Sequence, residues 1–445
     1  MAHLSPKNKD IQVEWKQKTI KYAKSVNRFV EKGLSLGWEN AGTEPKDPNI
    51  EKLVPHLIKA IRKANKSGNF ERLRFEWPLA HSPLIPILNK NGQSIPTVCI
   101  LDDKTIVARI GAPYKKGYVV QIQELDVKVV PNIEYFGRSP NRKYFAYSKE
   151  NGVSVTDGWL GEEVSFCPYP KGTEGIPVEY NGIEFDQPPI PTKLIPFPDG
   201  SRVLFISSEG IFVLSENEAV RLLPTLENMK DYFEYLKKKE RSDDRLSLNI
   251  DMEHGAISPD GKFIAVGSQD SLHLIFNDKL ELIAKIGHRS EYPHYAIFSD
   301  DGDMVAFNSC HFYNGITIGV PVKLLPGLET KAYKADDRTP ILENGSRVYA
   351  GTFRKDEFII GDASGYLRAF NKQGKPIWQH FIGSSVGDID ISADKTIIVC
   401  STYAGFISIL ELDKGKSEDY EIGNGGHTES RRWLFWEEEE QPLAW

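Results

Sequence analysis

Cysteine is scarce and scattered. Cys99, Cys167, Cys310 and Cys400 form no CxxC pair, which excludes a zinc ribbon and a dense disulfide framework and predicts reduced thiols in a core. Long apolar runs are also missing: no stretch approaches the roughly 18 residues needed to span a bilayer. The opening MAHLSPKNKDIQVEWKQKT has no apolar secretory segment, so a cytoplasmic protein with no membrane partner is expected. Positive charge is in deficit, with 55 Lys and Arg against 62 Asp and Glu and a net charge of −7. No global field is available to neutralise a phosphate backbone, and nucleic acid is not expected as a partner. The P-loop and HExxH are absent, and G-x-S-x-G occurs only as GLSLG at 33–37 and GSSVG at 383–387, neither in the strand, turn and helix pattern of a nucleophile elbow, so the commonest signatures of phosphate cradling, zinc proteolysis and nucleophilic hydrolysis are missing. Gly423, Asn424, Gly425 and Gly426 lack the Lys and Ser or Thr of a phosphate loop and read as a linker. At 40% hydrophobic and 26% charged residues, the 445-residue chain is ordinary for a folded protein.

What the chain has in quantity is repetition. Residues 256–268, AISPDGKFIAVGS, place an apolar run, a Pro/Asp/Gly turn and a second apolar run in succession. Pro presets φ for the second position of the turn and Gly accepts a positive φ, so antiparallel strands lie on either side. A single hairpin is marginal in water, whereas several copies around an axis bury one another's apolar faces, and the fold expected is a mainly β seven-bladed β-propeller. The seven units fall at about 96–130, 131–170, around PFPDG at 196–200, 252–287, around 295–309, around 358–378, and from about 388 to a close near Leu412. Six or eight blades satisfy the same arithmetic.

Three segments depart from the repeat. Residues 1–75 form a helical N-terminal segment with two amphipathic helices, the second kinked at Pro55. Within the propeller, 76–422, a charged helical insertion occupies about 225–247. Residues 423–445 read as a linker and an aromatic, acidic C-terminal tail.

Residues 254–309 resemble the WD-repeat β-propeller family. Gly287 and His288 take the place of its Gly-His pair, and Gly261 and Gly302 take its turn glycines, while Ile275, Phe276 and Asn277 replace the Trp-Asp end. In that resemblance His288 bridges a turn to a strand. Residues 361–378 resemble the repeat of pyrroloquinoline-quinone-type propellers, which implies that Trp378 packs between blades. The resemblance implies a fold and no reaction.

Candidate contacts concentrate in the tail. Arg431, Arg432, Trp433, Phe435, Trp436 and Trp445 bring three of the eight tryptophans together. Aromatics and Arg are common binding hot spots, so these residues are the candidate surface for another protein. The competing reading returns the tail onto the propeller or the N-terminal helices to cover an apolar groove. His254, His288, His294 and His311 lack the spacing of a compact metal motif, and no metal, cofactor or catalytic residue is assigned. Asp102 with Asp103, Asp243 with Asp244, and Asp300 with Asp301 read as turn caps. A non-catalytic protein binder is therefore expected, acting as a scaffold or as an inhibitor such as a bacterial immunity or antitoxin protein. The alternative is a hydrolase or lyase with its site in the central channel.

Overall fold

The repeated turn is the element from which the ring is built. In this computed structural model, which describes residues 6–79, 90–176, 184–238, 248–415 and 417–445, Ser258 Oγ donates to Asp260 Oδ1 at 2.7 Å and accepts the Phe263 N–H at 3.0 Å. Gly261, at φ +74°, closes the turn by donating its N–H to Ser258 O at 2.9 Å. The arrangement recurs at Ser139 with Asn141, Ser299 with Asp301, and Ser392 with Asp394. The fourth residue always has positive φ: Arg142 (+64°), Gly261 (+74°), Gly302 (+71°) and Lys395 (+63°), with Gly200 (+76°) in the Phe197 version. A Ser side chain thus satisfies the backbone that the hairpin leaves open, and the positive φ reverses the chain.

Five blades use this turn, the first and sixth close with tight hairpins at Asp102–Thr105 and Arg354–Glu357, and together they make seven antiparallel sheets, each of consecutive strands. The innermost strands are β1 (Thr97–Asp102), β5 (Phe136–Arg138), β9 (Pro191–Pro196), β13 (His254–Ile257), β17 (Tyr292–Phe298), β21 (Val348–Arg354) and β25 (Val386–Ile391). Each neighbours the next, and β25 returns to β1, so the ring is closed. Between sheets the strands are buried on both faces; Ala265, Ile275 and Ala284 of the fourth blade meet Phe298, Phe307 and Ile318 of the fifth. The innermost strands come so close that a Cβ on Gly137 would overlap Leu194 O and one on Gly387 would overlap Ile95 O.

No strand is shared between the first and last blades, so closure depends on other bonds. Asp388 and Asp390, on one side of β25 by the two-residue period of a strand, accept the Val98 N–H at 3.0 Å and the Ile100 N–H at 2.6 Å on the free edge of β1. Ile95 N–H donates to Thr402 O and Gln93 N–H to Phe435 O, both at 3.1 Å. The seventh sheet carries five strands, ending in β27 (Phe406–Glu411), β28 (Thr428–Leu434) and β29 (Leu443–Ala444). The expected close near Leu412, with a propeller ending at 422, is therefore corrected. The outer edge of β27 needs a partner, and the chain returns from beyond 422 to supply it. The GNGG stretch is no loose linker either: Gly423 donates to Asn27 Oδ1, and Asn424 exchanges hydrogen bonds with Gln379.

Over this seam lie α1 (Pro6–Leu36), α2 (Val54–Ser67) and α3 (Phe70–Glu76). Pro55 sits in the first turn of α2, where its missing N–H costs nothing, so it begins the helix instead of kinking it. Trp15, Leu57, Ile61 and Trp77 pack with Phe406, Trp436, Leu443 and Trp445 in one core. Its polar edges are also paired: Asn65 exchanges two hydrogen bonds with Ala444, Arg74 donates to Trp445 O, and Trp445 Nε1 donates to Trp77 O at 2.8 Å. In the insertion, α4 (Leu226–Lys238) buries Met229 and Phe233; residues 239–247, with Asp243 and Asp244, lie outside the described residues.

Trp445→Ala opens a cavity at the seam and is expected to cost about 3–5 kcal/mol in urea unfolding followed by fluorescence. A loss below about 1 kcal/mol would show that the ring closes without this anchor.

Candidate functional site

The tail residues do not form a contact surface. Trp433, Phe435, Trp436 and Trp445 are 2–3% exposed, and Arg432 is held in the core by a bidentate pair with Glu429 at 2.7 and 2.9 Å. Arg431 is half-buried over the Phe70 ring and donates to Glu124 O. The expectation that these six residues face a partner is corrected: three tryptophans beside an unpaired strand edge gain more by covering the seam than by meeting water. Of the acidic run that follows, Glu439 accepts from Arg62 Nε at 2.6 Å.

The repeat residues occupy structural positions. Trp378 lies in the core between the sixth and seventh blades, against the ring of His427 at 4.5 Å. His288 departs from the implied bridge to a strand: its Nδ1 meets Ser290 O within its own turn at 2.5 Å, and its ring packs on Tyr333. The reason is the connection 322–340, which runs beside β16 (Leu282–Ile286) and occupies the space next to Gly287.

What the ring brings together is its central channel. At the end where the first and second strands of each blade are joined, all seven innermost strands line a cavity of about 440 Å³. Asp390 Oδ1 accepts from Arg138 at 2.6 Å and Arg142 at 3.2 Å, and Asp300 pairs with Lys395. Burial pushes the Asp388 carboxyl up to about 6, although the Lys193 charge first and then the Val98 N–H favour its ionised form. Lys193 points into the same space, enclosed by protein yet open to the channel, with its ammonium 5.6 Å from the centre of the Tyr295 ring. Cys99 also lines it, its thiol pushed up to about 12 by burial.

The opposite face is aromatic. A strand that starts on this face brings the second-to-third-strand turns and the blade-to-blade connections to the same side. Tyr114 in the first blade, Phe312 and Tyr313 in the fifth, and Tyr333 beside His288 are 53%, 74%, 67% and 62% exposed. Tyr114, Phe312 and Tyr333 have φ of +52°, +51° and +60°, a region that bulky side chains rarely adopt. The turn of Phe312 and Tyr313 is held by Arg347, whose backbone N–H donates to Tyr313 O and whose guanidinium donates to Phe312 O. Tyr114 leans across the ring towards Glu253 at the entrance of the fourth blade, and burial raises both groups. Tyr349 and Tyr403, in edge-to-face contact at 5.4 Å, complete the centre of this face. The glycine and SPDG spacing gave no sign of it, because the four exposed aromatics sit in three segments far apart in the sequence.

No protein-family model matches the chain, and no curated protein matches it. Among solved structures it is similar to the Cps50 (Swd1) β-propeller domain of Myceliophteria thermophila, at 12% identity and a TM-score of 0.46, covering 69% of this chain and 92% of that one. It is also similar to the computationally designed Ika8 protein (14%, 0.41, covering 72% and 96%). A third likeness is to KlHsv2 with its loop 6CD replaced by a Gly-Ser linker (8%, 0.43, covering 76% and 98%). The blade count rests on the strand order of this chain. Among the described residues no helix is long and apolar enough to cross a membrane, and no three His, Cys, Asp or Glu side chains are grouped to hold a metal ion.

The histidines serve the packing. His254 Nδ1 meets Met252 O at 2.9 Å and its Nε2 faces His273 Nδ1 at 3.4 Å. His294 Nδ1 meets Val348 O at 2.6 Å, with Arg347 against its Nε2, while His311 pairs with Glu291 at the surface. Burial lowers His254, His380 and His427 to about 4 and His294 to about 3. Each is depressed below its unfolded value near 6.5, so the unfolded chain binds more protons below that pH and the fold loses stability as pH falls. Unfolding free energy measured in urea is expected to drop between pH 6.5 and 4.5 by up to about 1.4 kcal/mol per pH unit for each of these histidines. Burial raises Asp388 to about 6 and Glu421 to about 7, which opposes the fall over the same window, so the check is a comparison: His427→Gln should lose stability less steeply than the wild type as pH drops, and an identical slope would contradict the burial of that ring in neutral form.

Proposed function

We propose that the chain is a protein-binding propeller that recognises its partner through the face bearing Tyr114, Phe312, Tyr313 and Tyr333. The observation that carries this reading is the gathering of four large exposed aromatics on one side of a rigid ring, three of them in backbone conformations that cost energy to hold. Tyr and Phe supply large contact area for little lost side-chain freedom. Exposed apolar residues elsewhere on the ring are scattered aliphatics such as Leu125, Val129, Leu160, Val164 and Leu282, which need no partner to explain them. The coarse role of binder is common to a scaffold and to an inhibitor of the immunity or antitoxin kind. The two differ in whether the partner's activity survives the complex.

A catalytic reading has less behind it. His288, His294 and His311, all in the fifth blade or the connection leading into it, are bonded to Ser290 O, Val348 O and Glu291 respectively, each to a different partner.

The test uses the full chain as bait, identifies the partner, and then measures its affinity for single variants. Tyr114→Asn, Phe312→Asn and Tyr333→Asn suit the test because Asn tolerates positive φ, so the turns keep their shape while the aromatic surface is lost. Each is expected to weaken binding about tenfold or more, roughly 1.4 kcal/mol or above, with unchanged unfolding transitions. Unaltered affinity in all three would overturn the assignment of this face.

A further inference from the structure

The channel end opposite the aromatic face carries an observation that protein binding does not use. Four cations line it, Arg138, Arg142, Lys193 and Lys395, against the three carboxylates Asp300, Asp388 and Asp390. The carboxylates are each engaged. Asp390 takes Arg138, Arg142 and the Ile100 N–H, Asp300 takes Lys395, and Asp388 takes the Val98 N–H. Among the described residues, Lys193 alone of the four cations makes no ion pair and no hydrogen bond, leaving three N–H donors directed into a cavity of about 440 Å³.

Two of the other cations occupy positions where the repeat calls for glycine. The fourth turn residue is Gly200, Gly261 and Gly302 in three blades but Arg142 and Lys395 in the second and seventh, at φ of +64° and +63°. A glycine would relieve that conformation, and it would also remove a basic side chain from the channel mouth. The left-handed conformation thus accompanies a basic side chain at the mouth of the cavity that Lys193 also lines.

We propose that this end of the channel binds a compact anion, the carboxylate or phosphate group of a small molecule, with Lys193 as its direct partner and Arg142 and Lys395 supplying the surrounding field. The site differs from the aromatic face in position and in chemistry, so it stands or falls separately from the binding role assigned to that face. Lys193 is accessible through the channel, so an entering anion can reach its ammonium without displacing a bonded partner. Lys193 keeps its proton: Tyr295 first, then Asp388, outweigh the burial that would lower it. The other titratable groups acting on Lys193 or facing it are Cys99 on β1 and His254 on β13. Asp388, raised to about 6 by burial, is the competing carboxylate. As it protonates below that pH, an anion should bind more tightly.

The experiment titrates the full chain calorimetrically with sulfate, inorganic phosphate and malonate in turn, at constant ionic strength. At least one should bind saturably at one site per chain. Lys193→Met should weaken it about tenfold or more, and Lys193→Arg should retain most of it. Sulfate keeps its charge between pH 5.5 and 8, so its affinity should rise at the lower pH and lose that rise in Asp388→Asn. If Lys193→Met does not fold, Lys395→Gly decides: the glycine suits the turn, so the melting temperature should hold or rise while affinity falls about threefold or more. No saturable binding of any of the three anions up to on the order of 10 mM, or equal affinity in wild type and Lys193→Met, would overturn the site.

Discussion

The structure depends on closing a ring whose first and last blades share no strand. Blade-to-blade packing repeats six times along the chain, where covalent connection keeps neighbours together. At the seventh junction it must hold against the entropy of two free ends. Three layers of bonding meet there. Asp388 and Asp390 satisfy the free edge of β1, backbone hydrogen bonds tie Gln93 and Ile95 to the last sheet, and the three N-terminal helices cover the seam with an apolar core. Residues hundreds of positions apart, such as Asn65 and Ala444, therefore belong to one structural unit.

That constraint explains the composition of both chain ends. The tryptophans of the tail and the apolar stripes of α1 and α2 would each be a hazard if left in water, and each buries the other. It also removes the tail from the surface, so the proposed sites lie at the two ends of the channel. The ring's rigid inner strands present one face lined with charge and one lined with aromatics, and neither depends on a flexible terminus.

Much of the architecture was legible in the residues. The Ser, Asp and Gly turn announces itself because its hydrogen bonds and positive φ demand particular side chains, and the alternating apolar runs around it demand sheets. Where the turn used Arg142 or Lys395 in place of glycine, the pattern weakened, although the geometry is the same. The last strands were missed for a related reason. Thr428–Leu434, TESRRWL, carries adjacent arginines beside aromatics that read as a binding surface and not as a strand until Glu429 pairs with Arg432 inside the core. The candidate sites were less legible still. Lys193 lies on β9 and Asp388 and Asp390 lie on β25, far away in sequence, and only the ring brings the two strands to one channel.

The sequence by itself determined the repeating unit and the antiparallel strands, because turn chemistry and a two-residue period are local properties of the chain; its spacing allowed six, seven or eight units, and strand pairing decided for seven. Tertiary structure alone decided which aromatics would be buried and which exposed, how the ring would close, and which charges would face one another across the channel. Burial and electrostatic partnership are set by whatever arrives from elsewhere in the fold, and no local pattern records it.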